Sequence, residues 1–216
     1  MGALVLLSDF TEKDNVNLKK KMKELFLDKK YTLSYIPSMT DINLKCFEKT
    51  KNKLSEYGDF EFNYFDIDYF CNIEKIEKIF KSEVIYLSSG NTYYFLNNLK
   101  KRYFITRLRR YVENGGYVIG LSAGAIMMAK DISAAQFGDE DIVGLSDLSS
   151  LALVDFDFMP HWNNHSHYLD DLKEYSNNTG NTVYTCNDGD GIIVIDNKLH
   201  FYGDIKMIKE GEIRKA

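Results

Sequence analysis

Hydrophobic residues in the first half of the chain alternate between the spacing of an amphipathic helix and the short apolar runs of buried strands. Residues 15–30 have the helical spacing, with Leu18 and Met22 among lysines. The short apolar run within residues 1–10 is typical of a first buried strand. By the same reasoning, the pattern predicts strands over 31–36 and 60–65 and helices over 42–57 and 73–80.

The second half continues this alternation and ends in strands. The pattern predicts, in order, a strand over 84–87, helices over 93–103 and 107–114, a strand from 117, a loop over 131–150, a strand over 151–158, a helix over 168–176 and a strand over 182–185. A closing hairpin is predicted over 191–202, and the charged residues after it are expected to be peripheral. This order predicts an α/β fold with a largely parallel sheet and helices on both faces.

Gly120 and Gly124 flank Ser122 where the strand from Tyr117 gives way to an apolar, helix-favouring stretch. A serine on so tight a turn needs small neighbours, because a side chain two residues away would collide with the strand or helix. The turn places the hydroxyl at the carboxyl edge of a sheet and directs the first N–H groups of the helix at the group under attack. The pattern predicts a nucleophilic serine.

A second predicted strand-turn-helix corner lies at residues 88–92. Because parallel strands bring such corners to one edge of the sheet, both corners are expected beside a ligand site. Gly90 and Ala123 are therefore candidate backbone N–H donors to an oxyanion. The alternative is an ordinary turn in which Asn91 or Thr92 caps the following helix.

Three of the four histidines, His161, His165 and His167, lie close together after a predicted strand. A nucleophilic serine needs a base, and imidazole is the usual one because its pKa lies near neutrality. We assign His161, since it follows the strand and Pro160 and would reach the sheet edge that carries Ser122. His165 and His167 are expected to shape the pocket or to face water.

These histidines, together with Asp170 or Asp171, also permit a metal site. The sequence contains neither an H-E-x-x-H signature nor a cysteine pair beside them. We therefore predict no metal and no other cofactor.

A nucleophilic serine and its histidine need a carboxylate that fixes the imidazole tautomer. One acidic loop offers Asp139, Glu140 and Asp141, and a second offers Asp188. Spacing alone does not choose between the two loops.

Composition excludes several other classes of protein. The 216 residues contain no linker, repeat or low-complexity tract, which predicts a single domain over 1–216. A net charge of −5 with dispersed lysines argues against nucleic acid as a partner. No stretch approaches the roughly 20 apolar residues of a membrane span. Cys46, Cys71 and Cys186 are odd in number and widely spaced, which argues against a disulfide framework and favours a cytoplasmic protein.

Three motifs in order carry a family resemblance: residues 88–92, residues 120–125 and residues 160–163. Over residues 84–203 the chain resembles peptidase family S51, the aspartyl dipeptidase or dipeptidase E-like family, which includes cyanophycinase. The resemblance implies a class I glutamine amidotransferase-like three-layer α/β sandwich, with a mostly parallel sheet and a nucleophile elbow. It implies Ser122 as nucleophile and His161 as base, with Gly90 supplying an oxyanion N–H.

The resemblance also ranks the candidate acids. The family's acidic-glycine motif matches Asp188, which it places ahead of Glu140 and Asp141. Family members often have glutamate at this position, and aspartate has a shorter reach. The implied activity is that of a serine peptidase acting on a short peptide or amide. The alternative is a non-hydrolytic small-molecule binding or regulatory module of the same fold.

The chain departs from the family in the residues expected to hold substrate. Aspartyl dipeptidases are expected to hold the substrate aspartate with a basic residue, yet no arginine follows His161 before Arg214. Strict specificity for an N-terminal aspartate is therefore not expected. Asn91, Trp162 and Asn163 are instead the candidates for substrate contact, in an aromatic, amide-lined pocket. A homodimer is compatible with a chain of this size, but the sequence locates no interface.

Overall fold

Helices and strands alternate along most of the chain, as the hydrophobic pattern predicts. A computed structural model describes residues 2–11, 13–69 and 72–216. In chain order the elements are β1 Leu4–Leu7, α1 Val16–Phe26, β2 Lys30–Ile36, α2 Lys45–Leu54, β3 Asp59–Tyr64, α3 Ile73–Lys81, β4 Val84–Leu87, α4 Thr92–Lys101, α5 Phe104–Glu113, β5 Tyr117–Leu121, α6 Ala123–Ile126, β6 Asp157–Met159, α7 Trp162–His165, α8 Leu169–Thr179, β7 Val183–Thr185, β8 Gly191–Ile195, β9 Lys198–Tyr202, β10 Lys206–Lys209 and β11 Glu212–Lys215.

Within the described residues, the larger sheet has seven strands in the order β3-β2-β4-β5-β1-β8-β9. The strands from β3 to β1 pair in parallel, whereas β8 and β9 are antiparallel to their neighbours. The prediction of a largely parallel sheet is confirmed. Because β4, β5 and β1 are adjacent and in register, their carboxyl ends meet at one edge. Ser88, Ser122 and Ser8 directly follow these three strands.

Apolar side chains on the two faces of this sheet form separate cores. One face packs against α1 and α2, where Met22, Phe26 and Leu54 are fully buried. The other face packs against the helices from α3 to α6, with Leu96, Phe104 and other buried side chains. Helices therefore cover both faces, and the carboxyl edge remains open to carry polar groups.

The carboxyl half differs from its prediction in two places. A strand was expected over 151–158, but only Asp157–Met159 is extended. The N–H groups of Leu151 and Leu153 instead donate to the carbonyls of Met127 and Met128, so this backbone packs on the end of α6 and is not free to pair with a strand. The prediction of a strand over 151–156 is therefore wrong.

The charged end of the chain was expected to be peripheral and instead forms a hairpin, β10–β11. Strand β10 pairs with β7 in a second sheet of order β11-β10-β7-β6. Ile208 of β10 is fully buried there, and this apolar side chain accounts for the docking of an otherwise charged segment. Strand β11, unlike β10, is exposed along its length, which matches the predicted peripheral position of the charged end.

Cys46 and Cys186 are free thiols, and Cys71 lies outside the described residues. Across the part of the chain that the structure covers, no helix is both long and apolar enough to cross a membrane.

An acidic residue anchors the loop after β1. The carboxylate of Asp14, of which 2% is exposed, lies 2.8 Å from Lys53 Nζ and accepts hydrogen bonds from the Tyr57 hydroxyl and the Thr11 backbone N–H. Burial alone would raise the pKa of Asp14, but these donors and the Lys53 charge lower it below 3.8. The adjacent Asn15 N–H donates to Gly189 O at 2.9 Å, which ties this loop to the loop before β8.

Replacing Gly124 by alanine tests the close approach of α6 to β4. A Cβ on Gly124 would lie 2.2 Å from Leu87 O, so Gly124→Ala should lower the free energy of unfolding by about 1–3 kcal/mol. Gly138→Ala is the control, because its nearest neighbours lie 4.0 Å away, and it should change stability by less than about 0.5 kcal/mol. Equal midpoints of urea unfolding for the two variants would contradict this close approach of α6 to β4.

Because Asp14 is ion-paired with Lys53, we expect the free energy of unfolding to depend on pH. Asp14→Asn should lower the free energy of unfolding at pH 7 by about 1.5–3 kcal/mol, because the half-buried Lys53 loses its shortest ion pair and keeps only Glu56 at 3.4 Å. Since the pKa of Asp14 is lowered in the folded protein, its contribution is present above the unfolded pKa and is lost as pH falls through the lower folded value. Urea unfolding from pH 7 to pH 2.5 should show the two proteins converging. A difference that stays constant with pH would rule out the ionised pair.

Candidate active site

Ser122 lies at the junction of β5 and α6 in a strained backbone conformation. Its φ of 50° and ψ of −109° are rare for a residue other than glycine. The Ser122 N–H donates to Leu7 O at 2.9 Å, and its carbonyl accepts from the N–H groups of Ala125 and Ile126. The backbone is thus held on both sides, and the half-buried side chain stands at the carboxyl edge of the sheet.

His161 reaches this edge from the second sheet. It follows β6 and Pro160, and it too has a left-handed backbone, with φ of 54°. Its Nε2 lies 2.9 Å from Ser122 Oγ. The structure therefore brings together the serine and the histidine that the sequence singled out.

Asp188 completes the line of polar groups behind the imidazole. Its Oδ1 lies 2.6 Å from His161 Nδ1. Because a carboxylate can only accept, Nδ1 carries the proton in this arrangement and Nε2 is left to accept from the serine hydroxyl. Asn163 holds the aspartate in place, since its Oδ1 accepts from Asp188 N at 3.0 Å and its Nδ2 lies 3.3 Å from Oδ2. The short reach of aspartate is thus sufficient here.

The loop that carries Asp139, Glu140 and Asp141 packs against the start of α4 and does not reach the imidazole of His161. The Asp141 carboxylate accepts from the N–H groups of residues 143–145 within its own loop. The Glu140 carbonyl accepts from Asn91 Nδ2. The alternative acids, Glu140 and Asp141, are therefore not placed at His161, because their loop is folded onto itself and onto the start of α4.

Two backbone N–H groups beside Ser122 are unused. Gly90 has φ of 134°, and a Cβ there would lie 2.0 Å from Ser38 Oγ, so both conformation and space require glycine. Ala123 is the first residue of α6, where an N–H has no partner within the helix. Among the described residues, neither N–H donates to another protein group.

The structure places all three predicted substrate contacts outside the lining of the cavity in front of Ser122. Asn91 caps α4, because its Oδ1 accepts a hydrogen bond from Tyr94 N at 2.9 Å. Its Nδ2 donates to Glu140 O. This is the cap that the alternative interpretation of that corner predicted. Trp162 is 8% exposed and packs against the second sheet, among Met159, Leu172, Val183 and Ile208. Asn163 forms hydrogen bonds with Asp188 and does not line the cavity.

The cavity in front of Ser122 has a volume of about 290 Å³, and among the described residues no phenylalanine, tyrosine, tryptophan, asparagine or glutamine lines it. Its lining includes Gly90, Ser122 and His161, together with Asp9, Asp139 and His165. In the described part of the chain, no lysine or arginine lines it. Two acidic residues therefore line the cavity with no lysine or arginine beside them among the described residues of its lining.

Sequence reasoning missed Asp9 and treated Asp139 only as a candidate acid. Asp9 follows β1, so its place at the carboxyl end of a central strand was the one available signal. Asp139 accepts from the Thr92 N–H at 2.8 Å, which aligns its loop with α4.

His165 forms another wall of the cavity, as expected. Burial, and then the neighbouring charges of His161 and His167, lower its pKa, which favours the neutral ring. Within the described residues, its buried Nδ1 has no hydrogen-bond partner. No set of three or more histidine, cysteine, aspartate or glutamate side chains in that part of the chain could hold a metal ion.

Comparison with known proteins shows the family to which this chain belongs. The sequence profile of peptidase family S51 matches residues 4–202. An uncharacterized peptidase of Pasteurella multocida is 29% identical over 150 residues, which are 65% of this chain and 72% of that protein. A peptidase E of Salmonella arizonae is 32% identical over 89 residues, 41% of this chain and 38% of that protein.

A solved structure from Listeria monocytogenes EGD-e, provisionally named a peptidase E protein, is similar in fold. Its TM-score is 0.74 at 26% identity, and the match covers 93% of this chain and 97% of that one. The family match extends over nearly the whole chain and includes all three motifs on which the resemblance rests. This chain therefore belongs to peptidase family S51 and is a hydrolase.

Proposed function

We propose that the chain is a serine peptidase of the dipeptidase E-like type, which cleaves short peptides or related amides through Ser122, His161 and Asp188. The observation that carries the proposal is the line of contacts from Ser122 Oγ to His161 Nε2, 2.9 Å, and from His161 Nδ1 to Asp188 Oδ1, 2.6 Å. A serine hydroxyl is a weak nucleophile alone and becomes effective beside an oriented base.

In the proposed reaction, Ser122 Oγ attacks the substrate carbonyl carbon while His161 Nε2 takes the hydroxyl proton. Asp188 stabilises the imidazolium that forms. The imidazolium then gives its proton to the leaving amine nitrogen as the C–N bond breaks, which leaves an acyl group on Ser122. Water attacks this ester with His161 again as base, releasing the acid and restoring the serine.

The negative oxygen of each tetrahedral intermediate needs preorganised donors. We assign this role to the N–H groups of Gly90 and Ala123, because both lie at the site and are unused by the protein. In this proposal the strained turn at Ser122 is the nucleophile elbow of the family. The parallel sheet with helices on both faces then corresponds to the glutamine amidotransferase-like sandwich.

The cavity also bears on the substrate. At about 290 Å³ it lies at the lower end of ligand-binding pockets, which favours short substrates. The carboxylates of Asp9 and Asp139 disfavour an acidic side chain, and no cation of the described residues lines the cavity to hold one. We therefore propose that neutral or basic N-terminal residues are preferred over aspartate.

Removal of each reacting group tests the mechanism. Ser122→Ala, His161→Ala and Asp188→Asn should each lower kcat by more than about a thousandfold, because the three groups act as a unit. Ser146→Ala, an exposed serine away from the site, should leave kcat unchanged. The measurement is peptide hydrolysis, paired with covalent labelling by a fluorophosphonate. An unlabelled Ser122, in a protein that binds small molecules without cleaving them, would favour the non-hydrolytic alternative.

Charge in the cavity predicts substrate preference. The value of kcat/KM for Lys-Leu or Leu-Leu should exceed that for Asp-Leu by about tenfold or more, as expected for like charges in a partly desolvated site. Asp9→Asn should narrow this ratio, whereas Asp59→Asn, which removes an exposed charge on β3, should leave it unchanged. Faster cleavage of Asp-Leu by the unaltered protein would contradict this assignment of the substrate.

A further inference from the structure

Ser8 joins two parts of the site that are far apart in the sequence. It directly follows β1 and is fully buried. Its Oγ donates to Asp188 Oδ1 at 2.9 Å and accepts from the His161 backbone N–H at 2.7 Å. One hydroxyl therefore contacts both the acid and the main chain of the base.

The arrangement is a closed ring of hydrogen bonds. Asp188 Oδ1 accepts from Ser8 Oγ and also from His161 Nδ1, and His161 donates its backbone N–H to the same Ser8 Oγ. Rotation of the carboxylate or of the imidazole would break at least one of these bonds. We propose that Ser8 is a positioning residue for catalysis, an inference that rests on the proposed roles of His161 and Asp188.

The surrounding backbone supports this role. Ser8 N lies 3.4 Å from Asp190 O, and Gly189 N donates to Asp9 O at 2.9 Å, so the loop after β1 and the loop that carries Asp188 are bonded directly. The left-handed backbone of His161 directs its N–H away from any helix partner, and Ser8 Oγ is the acceptor that satisfies it. Ser8 is thus fixed at the end of the central strand β1, and its two hydrogen bonds orient His161 and Asp188.

The hydroxyl also affects the charge that faces the imidazole. As a donor to Asp188 Oδ1, it offsets part of the negative charge on that oxygen. Without it, more of the charge acts on His161 and the imidazolium is favoured. Removing the hydroxyl should therefore move the acid limb of the pH profile of kcat/KM to higher pH. A residue that served only to stabilise the fold would not shift this limb.

Ser8→Ala is the direct test of this role. Its kcat should fall by up to about a hundredfold, as expected when reacting groups lose their alignment. KM should change little, because Ser8 does not line the cavity. The matched control is Ser34→Ala, which removes an equally buried hydroxyl whose partner is Ser82 Oγ at 2.8 Å. It should lower stability and leave both kcat and the pH profile unchanged.

A double-mutant cycle with Asp188→Asn separates positioning from general destabilisation. If Ser8 acts through Asp188, adding Ser8→Ala to Asp188→Asn should lower kcat by less than about twofold more. Full multiplication of the two losses, or a Ser8→Ala protein with normal kcat and pH profile, would overturn the inference. Should Ser8→Ala not fold, Ser8→Cys, with a weak donor of similar size, replaces it in the cycle. Activity in Ser122→Ala would overturn the proposed function itself.

Discussion

The hydrogen bond between His161 and Asp188 is the interaction on which the site depends. It joins a residue that follows β6 of the second sheet to a loop that leads into β8 of the first. In the proposed mechanism this bond fixes the imidazole tautomer, so that Nε2 can accept the proton of Ser122. Both partners are in turn held by Ser8 at the end of a central strand. The two sheets therefore need to pack in register for the three groups to meet.

Local constraints made part of this site predictable from the sequence. Ser122 could be identified because it lies on a tight turn: a side chain at Gly120 would collide with Gly124 O, and one at Gly124 would collide with Leu87 O on the adjacent strand β4. Gly90 follows from a local constraint at the end of β4, because its φ of 134° favours glycine. The parallel sheet was predictable because its hydrophobic runs are short, buried and separated by helices. His161 could be identified because it follows a predicted strand and because the chain has only four histidines.

The remaining features depend on contacts between distant segments, which spacing does not record. Asp139 and Asp188 occupy loops of similar composition, and only the packing of those loops shows which one faces the imidazole. The sequence places Trp162 beside His161 but does not show that its ring turns toward the second sheet. Asn91 was correctly considered as a cap, yet its amide could not also be excluded from the cavity. Ser8 is one serine among many until β1 is placed beside β5.

The most direct test of the central claim is a crystal structure of the protein after reaction with a dipeptidyl phosphonate, a mimic of the tetrahedral intermediate. The account predicts a covalent bond from phosphorus to Ser122 Oγ, with His161 Nε2 within about 3.2 Å of that oxygen. A phosphonyl oxygen should also lie within hydrogen-bond distance of the Gly90 and Ala123 N–H groups. A phosphonate attached to another side chain, or an imidazole turned away from Ser122 in the adduct, would contradict the account.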